Sequence, residues 1–305
     1  MRAILFHKIY ESMRRNPNLF FLTAGVGFNL IEPMCKEFPD RTMNVGIAEQ
    51  NLVGVAAGLS NLGFKAICYS YTNFLAERAF EQIRNDICLH RYAPIFIGTT
   101  AGFDNAGLGA THHALDDIGA LKTLPHLKIY SPSSSESIGL IFDEALASDM
   151  ASFIRFTKND FSEGHPVSDA NRFVIERHAK ILIISHGKMV ANSVRASEFS
   201  SGFDLFAMDR IKPLDAGKLK DLFAGYRAIV VVEDNFKSGL YNSLAQWMAE
   251  NDVKNTRLHS ISVEETYRGE IGTAAYLEDL NGLNPKQIAD FIGLINKDLS
   301  SYDEI

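Results

Sequence analysis

The 305-residue chain has few of the residues that mark several classes of protein. Its three cysteines, Cys35, Cys68 and Cys88, are widely spaced in apolar stretches and form no CxxC pair, so we expect buried free thiols. No apolar run approaches the roughly 18 residues that span a bilayer, and the first residues lack a signal-peptide pattern. A net charge of −7 argues against nucleic-acid binding. We therefore expect a cytoplasmic globular protein.

The hydrophobic pattern predicts an α/β fold with two domains, each a mostly parallel sheet flanked by helices. Short β-rich runs alternate with longer helical patterns, which is typical of such layers. A polar stretch at 157–170 interrupts the alternation. We therefore predict a first domain at 1–160, a linker at 161–175 and a second domain at 176–305.

Individual elements follow from the same periodicity. Predicted strands are 19–22, 65–69, 94–98, 128–130, 152–156, 181–185, 205–208 and 229–233. Predicted helices are 74–90, a helix that starts at the Ser133 cap and runs to about 147, 190–199, 216–223, 240–250 and 285–296, with one more after Glu49 that Gly63 closes. Ser133 and Glu136 are spaced as a capping box at the start of the second of these helices.

A single carboxylate, Glu49, lies in an apolar and glycine-rich run, NVGIAEQNLVGVAAG, at residues 44–58. An ionised carboxylate is costly in apolar surroundings, so Glu49 is expected to take up a proton or to find a hydrogen-bond donor. Such a group is suited to bonding a ring nitrogen and exchanging a proton with it. On local grounds alone, a position at a helix N-terminus explains the residue equally well.

The longer string PDRTMNVGIAEQNLVGVAAGLSNLG, from Pro39 to Gly63, resembles the signature of the pyrimidine-binding domain of transketolase-type thiamine diphosphate enzymes. The second half resembles the C-terminal domain of the same family in the runs HGKMVANSV, MDRIKPLD, IVVVEDNFKSGLYNSLAQ and GLNPKQIADFI. The resemblance covers nearly the whole chain and corresponds to the later two-thirds of a full-length transketolase. It implies that Glu49 bonds the aminopyrimidine ring of the cofactor and promotes deprotonation of the thiazolium carbon.

Further cofactor contacts are implied by the stretch YSYTNFLAERAFEQIRNDI at residues 69–87. Phe74 falls where the family packs an aromatic side chain on the pyrimidine, and Tyr71 is the alternative. A plain core phenylalanine is the other interpretation of Phe74. Arg78 is a further cofactor-binding candidate, although pairing with a nearby acid on the helix surface would also explain it.

The glycine-rich loop TTAGFDNAGLGATHH, at residues 99–113, follows a predicted parallel strand, where ligands bind in such sheets. His112 matches a family histidine that lines the active site and transfers protons, and histidine suits this task because it titrates near neutral pH. Together with His113, Asp116 and Asp117 it also suggests a metal site. Adjacent side chains diverge, however, and no further ligand cluster is evident, so we predict no metal here.

Two positions in this loop depart from the family pattern. Leu108 stands where transketolases usually carry an aspartate that accepts a hydrogen bond from the donor sugar, and Thr100 stands where they tend to carry a histidine near the strand end. Because leucine cannot accept that bond, cofactor activation is better supported than the identity of the donor. Lys158 and Arg155, at the end of the last strand of the first domain, are candidates for binding a substrate phosphate, with a solvated surface cation as the alternative for Lys158.

The chain contains no Gly-Asp-Gly motif, which in the family holds Mg²⁺ and the cofactor diphosphate together with a later asparagine. The resemblance therefore implies the C-terminal subunit of a split enzyme, with the Mg²⁺ ligands on an N-terminal partner subunit, an interfacial active site and an α2β2 assembly. The implied reaction moves a two-carbon ketol unit between sugar or sugar phosphate substrates. The alternatives are the beta subunit of a 2-oxo acid-type thiamine diphosphate enzyme and a non-catalytic partner subunit.

Overall fold

The computed structural model describes residues 1–158, 161–267 and 269–303. The strands of the first half are β1 (Leu19–Thr23), β2 (Thr42–Asn44), β3 (Lys65–Tyr71), β4 (Ile95–Thr99), β5 (Leu127–Tyr130) and β6 (Ala151–Phe156). Its helices are α1 (Arg2–Arg15), α2 (Glu32–Glu37), α3 (Glu49–Asn61), α4 (Phe80–Gln82), α5 (Asp117–Leu121) and α6 (Ser135–Ala147). Two π-helical segments, Phe74–Arg78 and Ile83–Cys88, flank α4, and 3₁₀ turns lie at Pro39–Arg41, Ala106–Leu108 and Ala110–His112.

The second half has the same alternation of strands and helices. Its strands are β7 (Asn171–Ile175), β8 (Ile181–Ser185), β9 (Asp204–Met208), β10 (Arg210–Lys212), β11 (Ala228–Phe236) and β12 (Arg257–Val263). Its helices are α7 (Lys188–Ala196), α8 (Ala216–Gly225), α9 (Leu240–Glu250), α10 (Ala274–Leu280) and α11 (Pro285–Asp303). The predicted α/β class with two mostly parallel sheets is confirmed.

The first sheet has the strand order β10-β5-β6-β4-β3-β1-β2, and all of its pairings except β10 with β5 are parallel. The second sheet has the order β12-β11-β8-β9-β7, with β7 antiparallel to β9. Because the carboxyl ends of parallel strands meet at one edge, the segments that follow β2, β3, β4 and β6 gather at the same edge of the first sheet.

Three strands of the second half, β7, β10 and β12, lie where the sequence did not predict them, and β12 pairs in parallel with β11. β10 joins the first sheet beside β5, with Arg210 opposite Tyr130. β7 falls inside the stretch predicted as the linker and is an edge strand of the second sheet. The predicted boundary at residue 160 lies outside the described residues, and the domain limits 1–160, 161–175 and 176–305 stay a prediction.

Several local expectations differ from the structure. Cys35 is exposed, whereas Cys68 and Cys88 are buried, and all three are free thiols. Burial raises the pKa of Cys88 to about 11. The capping box of α6 is formed by Ser134 with Ser137 and not by Ser133, whose hydroxyl donates to Asp209. Helix α1 was not predicted, although Leu5, Phe6, Ile9 and Met13 give it a buried face.

The core is apolar on both sides of each sheet. β4 and β6 are buried along their whole length, as expected of central parallel strands. Helix α3 packs on β3 with Leu52, Val53 and Ala56 buried. Of the helices in the described part of the chain, none is both long and apolar enough to cross a membrane.

Two glycines of the first domain should respond to alanine in opposite directions. In Gly98→Ala, the added Cβ would meet Thr72 at 2.8 Å from Oγ1 and 2.9 Å from Cα, so we expect a loss of about 1–3 kcal/mol in the free energy of unfolding. Gly54→Ala is the control, because nothing lies within 4 Å of its Cβ on the exposed face of α3, and it should stabilise by about 0.5–1 kcal/mol. Urea denaturation of the purified chain measures both changes, and an equal effect of the two substitutions would contradict this packing.

Candidate active site

The carboxyl group of Glu49 lies on the side of the first sheet where its parallel strands end. Glu49 is the first residue of α3, which follows β2. The side chain is 2% exposed. The Ser70 hydroxyl donates to Oε1 over 2.9 Å, and Arg78 Nη1 donates to Oε2 over 3.1 Å. The N-terminus of α3 also favours the negative charge. Glu49 thus has the donor partners that burial of a carboxylate requires.

Arg78 links Glu49 to the aromatic ring of Phe74. Its guanidinium carbon stands 3.8 Å from the Phe74 ring centroid, a cation–π contact. Phe74 and Arg78 are the first and last residues of a π-helical segment. Residues four apart lie nearly above one another on such a turn, so the two side chains lie on the same side of it. The ion pair of Arg78 is with Glu49, a glutamate 29 residues earlier in the chain.

Phe74, Tyr71 and His112 form an aromatic group beside this carboxyl group, and all three side chains are half-buried. The ring centroids of Phe74 and His112 are 5.2 Å apart, those of Phe74 and Tyr71 are 5.6 Å apart, and the rings meet edge to face. The Thr111 hydroxyl lies 3.0 Å from Nδ1 of His112 and helps to fix the imidazole. The structure therefore brings together five predicted site residues: Glu49, Tyr71, Phe74, Arg78 and His112.

The two adjacent histidines lie in different surroundings. His113 is 7% exposed and packs edge to face on Phe103, with their ring centroids 5.1 Å apart. Burial lowers the pKa of His113, and a hydrogen bond to the backbone of Ala106 opposes this shift. Within the described ranges, no group of three His, Cys, Asp or Glu side chains could hold a metal ion.

A cavity of about 310 Å³ lies between this loop and the second domain. Its walls are mostly apolar and include Phe103, Phe236 and Tyr267. Glu77 and Asp116 also line it, and they interact with each other. Partial burial, followed by the negative charge of Asp116 and a hydrogen bond with it, raises the pKa of Glu77 to about 7.

Arg155 does not bind a phosphate in this arrangement, contrary to the sequence-based expectation. Its side chain is fully buried, and its guanidinium bonds Asp117 over 2.9 Å through Nε and Asp234 over 3.1 Å through Nη1. Nη2 donates to the carbonyl of Ala114 over 3.3 Å. Burial would lower the pKa of Arg155, but the two aspartates outweigh it and raise that pKa. Arg155 thus joins the first domain to the second.

The other three predicted substrate contacts lie around the loop at 99–113. Lys158 is exposed at the end of β6, and its backbone N–H donates to Asp104. Thr100 is buried with a positive φ of 60°, and its hydroxyl donates to the Thr99 carbonyl over 2.6 Å. Leu108 is 58% exposed on a 3₁₀ turn. Lys158 and Leu108 are thus open to a ligand, whereas Thr100 serves the loop itself.

Sequence reasoning missed two polar residues of this site. Ser70 orients Glu49, and Asn73 Nδ2 donates to the carbonyl of Thr111 over 2.9 Å, which ties the loop to the turn after β3. Both are buried, Ser70 at 0% and Asn73 at 1% exposure. A serine in the strand KAICYSY, which is otherwise apolar or aromatic apart from Lys65, was the available signal for Ser70.

Comparisons with known proteins match both halves of the chain to known domains. The family models "Transketolase, pyrimidine binding domain" and "Transketolase, C-terminal domain" match residues 1–163 and 173–288. One of the subunits of the apulose-4-phosphate transketolase of Actinobacillus succinogenes is 32% identical over 237 residues, which cover 74% of this chain and 76% of that protein. The 1-deoxy-D-xylulose-5-phosphate synthase of Rhodopirellula baltica is 28% identical over 291 residues, 92% of this chain and 45% of that protein. The chain thus spans about half the length of that synthase.

Solved structures show the same fold. A split-gene transketolase, described as an inactive beta4 tetramer, superposes with a TM-score of 0.84 at 25% identity, and the overlap covers 96% of each chain. A transketolase mutant from Pichia stipitis superposes with a TM-score of 0.79 at 14% identity, covering 99% of this chain and 46% of that one. At 14% identity the second likeness shows the fold alone.

The proton on Glu77 should make stability depend on pH. Its pKa is about 7 in the folded chain against an ordinary 4.5, so folding binds a proton between these values and the free energy of unfolding should fall as pH rises from 4.5 to about 7. Because the side chain keeps an exposed part, solvent screening makes the effect smaller than the shift implies. Glu77→Gln should flatten this fall in urea denaturation at pH 5, 6, 7 and 8.

The matched control is Glu81→Gln, which changes the same side-chain type at an exposed position of α4. The control should keep the pH dependence of the unsubstituted chain. If the free energy of unfolding changed with pH in the same way for the unsubstituted chain and both variants, Glu77 would not be the group that takes up the proton on folding.

Proposed function

The chain belongs to the transketolase family, since the two domain models match residues 1–163 and 173–288, and from this premise we propose that it is the C-terminal subunit of a split transketolase-like enzyme. The enzyme transfers a two-carbon ketol unit between sugar or sugar phosphate substrates with thiamine diphosphate. A partner subunit carries the diphosphate-binding domain and the Mg²⁺ ligands. We propose an α2β2 assembly with the active sites between unlike subunits.

The observation that carries the proposal is the meeting of Glu49, Phe74 and His112 at one edge of the first sheet. A buried carboxyl group can bond a ring nitrogen, and an aromatic side chain beside it can pack on the same ring. These side chains fit an aminopyrimidine. They do not fit a metal-bound diphosphate, because the sequence has no Gly-Asp-Gly and the described residues include no cluster of three metal-binding side chains.

Each residue of the site has a separate task in the proposed reaction. Thiamine diphosphate, when bound, supplies the carbon nucleophile. Glu49 holds a hydrogen bond and a proton at the pyrimidine nitrogen, and Ser70 keeps its carboxyl group oriented by donating to Oε1. Phe74 offers an apolar face to the ring. His112, fixed by Thr111, holds or moves a proton on the substrate side.

Arg78 sets the charge of this site. Its guanidinium contacts the Phe74 ring and pairs with Glu49. In the free chain, Arg78 therefore lies against both of the side chains that are proposed to contact the pyrimidine ring. A pyrimidine nitrogen that bonded Oε2 of Glu49 would either share this oxygen with Nη1 of Arg78 or replace the bond from Arg78. The Arg78 side chain is 48% exposed, which leaves it room to turn outward while its charge remains nearby.

A separate partner subunit is supported by the lengths of the relatives. The matched region is 76% of the apulose-4-phosphate transketolase subunit and 96% of the split-gene transketolase chain, but only 45% of the 1-deoxy-D-xylulose-5-phosphate synthase. The matched region therefore makes up most of two relatives that are themselves single subunits. The beta4 tetramer of the split-gene transketolase is described as inactive, which is the behaviour we propose for this chain without a partner.

A second candidate for the donor is a 2-oxo acid, as in beta subunits of 2-oxo acid-type enzymes. Leu108 favours it, because this side chain is 58% exposed on the loop and presents only methyl groups where a sugar hydroxyl would need an acceptor. Ketose phosphates, unphosphorylated ketoses and pyruvate, tested as donors with the assembled enzyme, separate the two candidates.

Glu49→Gln should abolish most turnover by the assembled enzyme. Glutamine keeps the size of the side chain but cannot exchange the proton, so we expect a loss of roughly 10²-fold or more in kcat. Turnover is measured with thiamine diphosphate, Mg²⁺ and paired ketose and aldose substrates. Glu198→Gln, at an exposed site of the second domain, is the control and should keep the full rate. Undiminished turnover of the Glu49 variant would remove this residue from the reaction.

The chain without its partner should bind thiamine diphosphate with Mg²⁺ roughly 100-fold or more weakly than the assembled enzyme. The reason is that charge-assisted contacts to the diphosphate contribute strongly to affinity and lie on the other subunit. Isothermal titration calorimetry on the chain alone, on the partner alone and on the complex measures the difference. Equally tight binding by the lone chain would contradict the split-enzyme proposal.

A further inference from the structure

The loop that carries His112 is closed at its base by a short antiparallel bridge. This loop, residues 100–113, leaves β4 and returns to Ala114. Gly102 N–H donates to the Ala114 carbonyl over 3.2 Å, and Ala114 N–H donates to the Gly102 carbonyl over 3.0 Å. The position of His112 therefore depends on what holds this base.

The second domain holds the base through the end of β11. The Asn235 side-chain amide donates to the Leu115 carbonyl over 3.0 Å and to Oδ1 of Asp117 over 2.8 Å. The Phe236 backbone N–H also donates to the Leu115 carbonyl, over 2.8 Å. Leu115 comes three residues after His112 in the chain. Asn235 is fully buried, so these bonds are shielded from water.

Asp234 fixes the other strand of the base. Its Oδ2 would lie 2.0 Å from a Cβ at Gly102, whose φ is +59°, so the carboxyl group packs directly against this glycine. Its Oδ1 accepts from Arg155 over 3.1 Å, and the same guanidinium bonds Asp117 and the Ala114 carbonyl. The loop base is thus enclosed between β6 of the first domain and β11 of the second.

We propose that Asp234 and Asn235 are positioning residues for His112, so that the second domain acts on the reaction by fixing the loop in the first. This inference rests on the proposed function, in which His112 belongs to the active site. The bonds described end on backbone atoms and on Asp117 and Arg155. Asp234 and Asn235 therefore act on His112 through the loop base.

The decisive variant is Asn235→Ala, which removes two hydrogen bonds to the base without adding or removing charge. We expect hydrogen–deuterium exchange of the amides in residues 102–115 of the purified full chain to rise roughly tenfold, as befits the loss of hydrogen bonds. The matched control is Asn192→Ala in the same domain. The amide of Asn192, also buried, donates to the Leu283 carbonyl over 3.0 Å and to Glu278 over 3.2 Å.

Exchange in the loop should stay unchanged in Asn192→Ala, even where both variants lose similar global stability. Unchanged exchange in Asn235→Ala, or an equal rise in both variants, would overturn the proposal. A second variant, Asp234→Asn, tests the same base if the alanine variant fails to fold. It keeps the size of the side chain and leaves Arg155 paired with Asp117, and we expect a smaller rise in exchange confined to the same residues.

In the assembled enzyme, Asn235→Ala should lower kcat roughly tenfold or more while KM for the acceptor changes less than about threefold. A misplaced catalytic group slows the reaction more than it weakens binding. Asn192→Ala should keep kcat. Faster exchange in the loop of Asn235→Ala with an unchanged kcat would refute the positioning role and leave the proposed function intact. Full activity of Glu49→Gln would instead remove Glu49 from the proposed reaction, whatever the exchange in the loop.

Discussion

The buried guanidinium of Arg155, held between Asp117 and Asp234, joins the two halves of the molecule. Taking three ionisable groups out of water is expensive, and the cost is offset only if each finds well-oriented partners. Burial raises the pKa of Asp117, and the positive charge of Arg155 opposes that shift. Because Asp117 lies in α5 of the first half and Asp234 in β11 of the second, this cluster is complete only when the two halves are docked. The base of the loop that carries His112 is built into the same cluster.

The strands were the best predicted part of the fold, because a buried parallel strand is visible in the sequence as a short apolar run. Helix α9 and strand β8 fall on the predicted residues, and most other strands differ by a few residues at their ends. The resemblance to the family placed Glu49, Phe74 and His112 in one site, and the topology then brought them to one edge. Their roles stay predictions.

What sequence reasoning missed depends on contacts between distant parts of the chain. Arg78 reaches Glu49 across 29 residues, and the π-helical turn that directs it has no recognisable local signature. Arg155 was a candidate phosphate ligand because it lies near the end of the last strand of the first domain. One of its two acidic partners, Asp234, comes from the second domain, and hydrophobic periodicity cannot show how the two domains dock. β10 was missed for a related reason, since a three-residue strand at the far edge of another sheet is too short to leave a pattern.

β10 also makes the first sheet depend on the second half of the chain. It covers the outer edge of β5 with a strand that the second half supplies, pairing Arg210 with Tyr130 and Lys212 with Ile129. A gene rearrangement that moved only the first half would leave the backbone of β5 bare, and bare strand edges promote aggregation. The first half expressed by itself is therefore expected to aggregate more readily than the whole chain.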